Sequence, residues 1–358
     1  MSKITFAIIG GAGWRAQFFL RVAAGLPERF AVAGMVVRDV AKAAAMEKWW
    51  GAPTYRTVDD LLGASRPEFV VVSVPWAVAP AMLKDLAARG VPALCETPPA
   101  TQLPELVRAC QLVEDGAKIQ VAEQYNFQPM HAARLATVRS GKLGAVTQAQ
   151  VSAAHGYHGI SLIRNLLGVR FECPTISAVK FVSPIVAGPG RNGPPPEEKL
   201  ADSAQVIARL DYGDKLGVYD FTGDQYFSWI RSPRVLVRGE RGEINGTAVR
   251  YLTDFRTPID LELTRADAGQ DGNLEGYYHK GVLAGSEWVY RNPLAPARLS
   301  DDEMAVGTCL LRMAEYVRGG PEFYGLPDAA QDRYLDILMA EATATGQPVT
   351  AAPQPWAQ

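Results

Sequence analysis

The run ITFAIIGGAGWRAQFFLRVAAG, residues 4–25, constrains the fold more than any other part of the chain. Its first six residues are apolar without polar alternation, apart from one threonine, and such a strand needs cover on both faces of its sheet. A glycine-rich turn follows, and then an amphipathic helix, expected over Trp14–Leu26. Gly11, Gly13 and Ala16 stand in G-x-G-x-x-A register across that turn. Small residues there allow a tight bend and let the backbone N–H groups of Gly11, Ala12, Gly13, Trp14 and Arg15 approach a pyrophosphate at the positive end of the helix.

The alternation continues to about residue 120. The strand-like runs FAVAGMVV, FVVVSVP, PALCET and KIQVAEQY are separated by the helical stretches AKAAAMEKWW, TVDDLLGA, PAMLKDLAARG and LPELVRACQLVEDG. Buried Val/Ile runs between helices predict a doubly wound parallel sheet, so residues 1–124 read as a dinucleotide-binding Rossmann domain of α/β class. Beyond residue 125 the pattern changes. The helix MHAARLATVRSG, the turn GKLG, the strand AVTQAQVSAA and the helix GISLIRNLLG lead into TISAVKFVSPIV, QVIARLDYG, KLGVYDFTGDQYF, RVLVRGERGEI and AVRYLTDF. With no helix between those last runs, they predict a mostly antiparallel sheet. Two helices, in DDEMAVGTCLLRMAEYV and LPDAAQDRYLDILMAEATATG, close the chain. Residues 125–358 therefore read as a second α/β domain, for substrate binding and oligomerisation. AGPGRNGPPPEEK must be a loop, because consecutive prolines neither continue a helix nor donate to a ladder. It is either a lid over a cleft or a surface excursion.

Composition narrows the partners. The formal net charge is −2 over 358 residues, so no bulk field attracts nucleic acid or an acidic membrane. No apolar run reaches the ~20 residues of a membrane span. The N-terminus lacks the basic-then-apolar layout of a signal peptide, and a cytoplasmic location is the expectation. Cys95, Cys110, Cys173 and Cys309 show no paired spacing and read as small apolar residues. No metal-ligand spacing stands out, and no metal is expected.

Several residues carry chemistry. The second strand ends Val37-Arg38-Asp39. An arginine there stacks on adenine or pairs with a 2′-phosphate, favouring NADP(H) somewhat, while Asp39 in reach of a ribose hydroxyl keeps NAD(H) open. Glu123 and Gln124 follow the sixth strand, where strand carboxyl ends meet ligands in open α/β sheets. The stretch AAHGYHG brings His155, Tyr157 and His158 together, holding two of the chain's four histidines. Histidine titrates near neutrality and can exchange a proton with a substrate hydroxyl, so His158 is the candidate acid/base, with His155 a substrate contact and Tyr157 either a donor or a packed ring. DFTGDQYFSWIRSPR sets Tyr226 and Arg231 among Asp220, Asp224, Gln225, Trp229 and Arg234, equipment that suits a carbohydrate pocket or a subunit interface. GYHKGVLAGSEWVYRNP, with His279, Trp288, Tyr290 and Arg291, reads as structure or interface.

Taken in order, the glycine turn, YRTVDDLLGASRPEFVVVSVP, RGVPALCETPPA, VAEQYNFQP, GKLGAV, GYHGISLIRNLLG and ATATGQPV resemble the Gfo/Idh/MocA family of NAD(P)-dependent oxidoreductases along essentially the whole chain. The resemblance implies a Rossmann domain followed by an α/β domain with an open-faced sheet that packs into homodimers or homotetramers. It also implies a sugar, sugar-nucleotide or cyclitol substrate. Pro75, with Trp76 after it, would lie beside the adenosine, and His158 takes the place of the catalytic histidine. Glu96-Thr97-Pro98 stands where the family places Glu-Lys-Pro, which leaves Glu96 at the cofactor. Thr97 is too weak a base for proton transfer and is assigned to orienting substrate or nicotinamide. Ala79, Ala154 and Ser161 replace other polar positions of the family's site. Three functions follow: a dehydrogenase acting on a sugar, cyclitol or related polyol or ketone, an NAD-dependent glycoside hydrolase working by transient oxidation and elimination, or a non-catalytic binder of dinucleotide or sugar.

Overall fold

The structure, a computed structural model, describes residues 3–357. The first layer comprises β1 (Ile4–Ile9), α1 (Ala16–Gly25), β2 (Phe30–Val36), α2 (Val40–Trp50), β3 (Thr54–Tyr55), α3 (Val58–Ala64), β4 (Phe69–Val72), α4 (Ala79–Ala88), β5 (Ala93–Cys95), α5 (Leu103–Glu114) and β6 (Ile119–Val121). The strands form a six-stranded sheet in the order β3-β2-β1-β4-β5-β6, and every pair is parallel. Phe6, Ile8, Val70 and Val71 are fully buried, as a sheet covered on both faces requires. Strand order reverses between β1 and β4, which opens a crevice at their carboxyl ends.

Helix α1 starts at Ala16, two residues later than its amphipathic pattern suggests, because Gly10–Arg15 are spent on turns. The Gly10 and Gly11 N–H groups both donate to the Val36 carbonyl, at 3.2 and 3.3 Å, and the Gly13 N–H donates to the Gly10 carbonyl at 2.9 Å. Gly10 has φ +87° and a Cβ there would lie 2.0 Å from the Ser73 carbonyl oxygen, so only glycine fits.

The second layer contains α6 (Pro129–Arg139), β7 (Val146–Ser152), α7 (Gly156–Leu167), β8 (Thr175–Val186), β9 (Leu200–Asp211), β10 (Leu216–Thr222), β11 (Arg234–Gly239), β12 (Gly242–Asn245), β13 (Ala248–Asp254), β14 (Thr257–Asp267), β15 (His279–Ala284), β16 (Glu287–Arg291), α8 (Asp301–Val317), α9 (Leu326–Thr345) and β17 (Val349–Thr350). Its eleven strands run β16-β15-β14-β13-β12-β11-β7-β10-β9-β8-β17, and only β7 and β10 pair in parallel. The run TISAVKFVSPIV is β8 residue for residue. β9 begins five residues ahead of its expected start, because it pairs with β8 all the way from Thr175↔Asp211 to Val186↔Leu200. β10 stops at Thr222, where a 3-10 turn over Gly223–Tyr226 takes over, capped by Thr222 and Gln225. β14 was not expected from the sequence: Pro258 and its charged residues mask the alternation of Ile259, Leu261 and Leu263.

α7 and α9 pack on one face of this sheet, and Gly159 gives the Tyr219 ring its place, 2.7 Å from where a Cβ would stand. The opposite face leaves Val179, Phe181 and Ile207 exposed. α8 departs from the second layer. Its Val306, Leu310 and Met313 pack with Phe19, Leu20 and Val22 in the core of the first. Among the described residues no helix is long and apolar enough to cross a membrane, and no three His, Cys, Asp or Glu side chains cluster to hold a metal.

Candidate active site

Where β6 ends, the chain places Glu123 at the carboxyl edge of the parallel sheet and makes a 3-10 turn over Gln124–Phe127. Helix α7 of the second layer points its first turn at the same spot, with His155 as the residue before the helix and the His158 N–H donating to the His155 carbonyl at 3.1 Å. His158 and Glu123 meet there. Nδ1 of His158 lies 2.7 and 2.9 Å from the two carboxylate oxygens of Glu123. The imidazole is 4% exposed and the carboxyl 1%. Burial, helped by the Arg15 charge, pushes the imidazolium down to about 3, and burial holds the Glu123 carboxyl well above its ordinary range. The two titrate as a unit, with Nδ1 engaged and Nε2 left to address solvent or ligand.

What Nε2 addresses is a cleft of ≈ 570 Å³ between the two layers. From the first layer it is lined by Gly13, Trp14, Arg15, Pro75, Trp76, Glu96, Thr97, Gln124 and Tyr125; His155, Tyr157, His158, Tyr226 and Phe227 come from the second. Most of the residues singled out in the sequence are therefore brought together. The Tyr125 ring lies 4.6 Å from that of His158, and the Tyr157 ring lies 4.4 Å from it on another side. The Tyr226 hydroxyl accepts from the His155 N–H at 2.9 Å and lies 2.6 Å from its Nδ1. Burial, with the nearby His158, pushes His155 down to about 4, so its ring is neutral at pH 7. Thr97 is nearly buried, beside the Tyr157 hydroxyl. Arg15 reaches across from the glycine turn to Glu96 in a two-point pair, at 3.0 and 3.2 Å.

Some expected residues stand elsewhere. Glu123 faces His158 and is not part of the cleft lining. Arg231 lies outside the cleft and pairs with Asp224 at 3.3 Å, while Arg234 is tied to Asp220 at 2.6 Å. The 3-10 turn that follows β10 brings Tyr226, with Phe227 after it, into the lining, and Arg231 and Arg234 farther along stand outside it. Gly11 packs against Met35, outside the lining, and Ala12 joins the core of the first layer. Arg38 is exposed at the end of β2, and Asp39 is occupied in capping α2, accepting from the Lys42 N–H at 2.8 Å. Other site residues escaped the sequence reading. Tyr125 had a signal, being next to Gln124 at a strand end. Arg191 lies in the loop read as lid or excursion. Asp302 lines the cleft from α8, and nothing local in its sequence announces that.

Residues 4–124 match the family model described as "Oxidoreductase family, NAD-binding Rossmann fold" of the Gfo/Idh/MocA group. The chain is 27% identical over 213 residues to the inositol 2-dehydrogenase of Leifsonia xyli subsp. xyli, and the match spans 57% of this chain and 62% of that protein. Among solved structures, levoglucosan dehydrogenase in complex with NADH and levoglucosan superposes with a TM-score of 0.71 at 15% identity, over 99% of this chain and 100% of that one. A myo-inositol dehydrogenase from Corynebacterium glutamicum superposes with a TM-score of 0.66 at 17% identity, over 99% of this chain and 100% of that one. At these identities the structural matches speak for the fold, a parallel Rossmann layer against an open antiparallel sheet. Residues 4–124 therefore carry the NAD-binding Rossmann model of the Gfo/Idh/MocA oxidoreductases, and the chain as a whole shares the fold of these dehydrogenases.

Proposed function

We propose that the protein is an NAD(P)-dependent dehydrogenase that interconverts a secondary hydroxyl and a ketone on a sugar, cyclitol or related polyol. The observation that carries the reading is the His158–Glu123 pair, with Nδ1 held at 2.7 Å and Nε2 left for the cleft. The residues fit a dinucleotide: glycines 10 and 13 leave the turn without side chains, and Gly13 and Trp14 line the same cleft as His158. A bound nicotinamide supplies the hydride acceptor or donor. The chain supplies the rest. His158 Nε2 takes the substrate hydroxyl proton during oxidation and returns it during reduction, a step for which imidazole is matched to neutral pH. Glu123 fixes the ring orientation and stabilises the charge that appears when Nε2 is protonated. Thr97 hydrogen-bonds a substrate hydroxyl. Tyr125, Tyr157, Tyr226 and Phe227 offer apolar faces with polar edges, which suits a saturated ring bearing hydroxyls.

Finer features belong to the same reading. Arg38, with Asp39 committed to its cap, favours a 2′-phosphate at the ribose and hence NADP(H) alongside NAD(H). The exposed apolar strip Val179, Phe181 and Ile207 suits a second copy of the chain, giving a homodimer or homotetramer. Arg231 and Arg234, which an anionic glycoside would call for, are tied up outside the cleft, and this favours simple dehydrogenation over elimination. The test is His158→Ala assayed by NAD(P)H absorbance over a polyol and ketose panel. We expect kcat to fall about 10²–10⁴-fold, the usual worth of a general acid/base, with cofactor affinity retained. Undiminished turnover would reject His158 as the proton carrier.

A further inference from the structure

Among the described residues, the cleft lining holds one cation with no role so far, and it comes from the Gly/Pro-rich segment. β8 and β9 are paired along their full length, and the Ala187 N–H donates to the Lys199 carbonyl at 2.8 Å, so residues 187–199 are the tip of a long two-stranded arm. At that tip Gly190 and Gly193 bond to each other in both directions, at 2.9 and 3.0 Å, with Gly193 at φ +101°. This tight loop presents Arg191. Its guanidinium carbon stands 4.3 Å from the centre of the Trp14 ring, and the residue lines the active cleft. The other guanidinium in the lining, Arg15, is held at two points by Glu96. Arg191 makes no hydrogen bond or ion pair among the described residues; its one specific contact is the indole.

The position of that indole decides the argument. Trp14 follows Gly13 in the glycine turn between β1 and α1, where the dehydrogenase reading puts the cofactor diphosphate. An arm of the substrate sheet therefore rests an uncompensated charge at the phosphate end of the cofactor layer. A guanidinium over a half-exposed tryptophan gains only a weak cation–π attraction, whereas two parallel N–H···O bonds to phosphate oxygens are charge-assisted and roughly twice as strong as neutral ones. On the dehydrogenase reading above, we propose that Arg191 is a cofactor clamp: on binding, its guanidinium leaves the Trp14 face and pairs with the dinucleotide diphosphate, drawing the hairpin tip over the cleft. The lid and the excursion read from the sequence then become one segment, anchored at its base and closed by charge at its tip.

Binding measurements test this without turnover. Dissociation constants for NADH, NADPH, ADP-ribose and adenosine are to be measured by titration calorimetry and by competition, on wild type, Arg191→Ala and Arg191→Lys. We expect Arg191→Ala to weaken both reduced cofactors and ADP-ribose about tenfold, the size of one charge-assisted contact, and to leave adenosine unchanged. Arg191→Lys should recover part of the loss, and the difference between wild type and Arg191→Ala should shrink with added salt. Unchanged cofactor affinity in Arg191→Ala would overturn the clamp while leaving the dehydrogenase reading standing. An equal loss for adenosine, or a defect confined to substrate KM, would also overturn it. Failure of wild type to bind either cofactor would remove the dehydrogenase reading, and the clamp with it.

Discussion

The molecule contains two histidine–carboxylate pairs of nearly the same geometry, and they differ in almost everything else. His158 Nδ1 lies 2.7 Å from Glu123, and His279 Nδ1 lies 2.6 Å from Asp267. Both imidazoles are about equally buried, 4% and 5% exposed. The second pair is a product of register: β14 and β15 place Asp267 opposite His279. The first joins the end of a parallel strand to the first turn of a helix in another layer. Behind His158 the carboxyl is sealed from water, whereas the Asp267 side chain is 28% exposed with Arg265 nearby. In front of His158 there is a cleft; Nε2 of His279 is buried without a partner among the described residues, its ring stacked on Tyr290 at 6.1 Å. The bond alone does not make an acid/base. On the reading proposed above, what makes one is a second ring nitrogen that can reach a ligand, backed by a carboxyl shielded from water.

The largest effect separating the pairs is expected from removing each carboxylate charge. Glu123→Gln keeps the volume but loses a charge-assisted hydrogen bond worth about 1.5–3 kcal/mol, so kcat/KM should fall about 10–100-fold. Asp267→Asn should leave it within a factor of about two, being away from the cleft. The pH profile adds a sign. On the proposed reading His158 acts as base when Nε2 is unprotonated, and a carboxyl that can give up its own charge-neutralising proton as Nε2 gains one favours that protonation. Glu123→Gln removes that carboxyl, so the acid limb of kcat/KM for oxidation should move to lower pH. A shift to higher pH would mean that Glu123 does not support the charged imidazole.

A smaller and opposite effect is expected on stability. His279→Ala removes a packed ring and leaves the Asp267 carboxylate without its donor, which should cost about 2 kcal/mol or more and lower the melting temperature. Specific activity of the folded fraction should not change. Loss of kcat at an unaltered melting temperature would show that the second pair communicates with the cleft, and the contrast drawn above would fail.

This contrast also marks how far the sequence could be read. The Rossmann layer was legible because its signals are local: an apolar strand, a glycine turn and a helix within residues 4–25. His155, Tyr157 and His158 were found together for the same reason. Gly10 was not, since its constraint is the Ser73 carbonyl on a neighbouring strand. Glu123 is legible as a residue at the strand end but its partner is not, because only the approach of α7 turns it toward His158. Asp302 reaches the cleft on a helix that belongs by sequence to the second layer and packs with α1 of the first. Arg231 shows the reverse case: Tyr226, five residues before it, lines the cleft, whereas Arg231 folds back on Asp224 outside the lining. Composition finds chemical equipment, and the chain's long-range folding decides which way it faces.

The smallest expected effect sharpens the claim that the second pair is sealed. The Tyr290 hydroxyl is buried with no hydrogen-bond partner among the described residues, and its ring stacks on that of His279, whose Nε2 is equally orphaned. Leaving a buried polar group unpaired costs about 1–3 kcal/mol, so Tyr290→Phe, which keeps the ring and removes only the oxygen, should be neutral or raise stability by about 1 kcal/mol. Thermal melts of the variant, alone and combined with His279→Ala, measure this directly. A clear drop in melting temperature would mean that the hydroxyl does have a partner, such as a buried water bridging it to Nε2. His279 would then carry a relay of its own, and the distinction between a catalytic pair and a structural one would have to be drawn from solvent access alone.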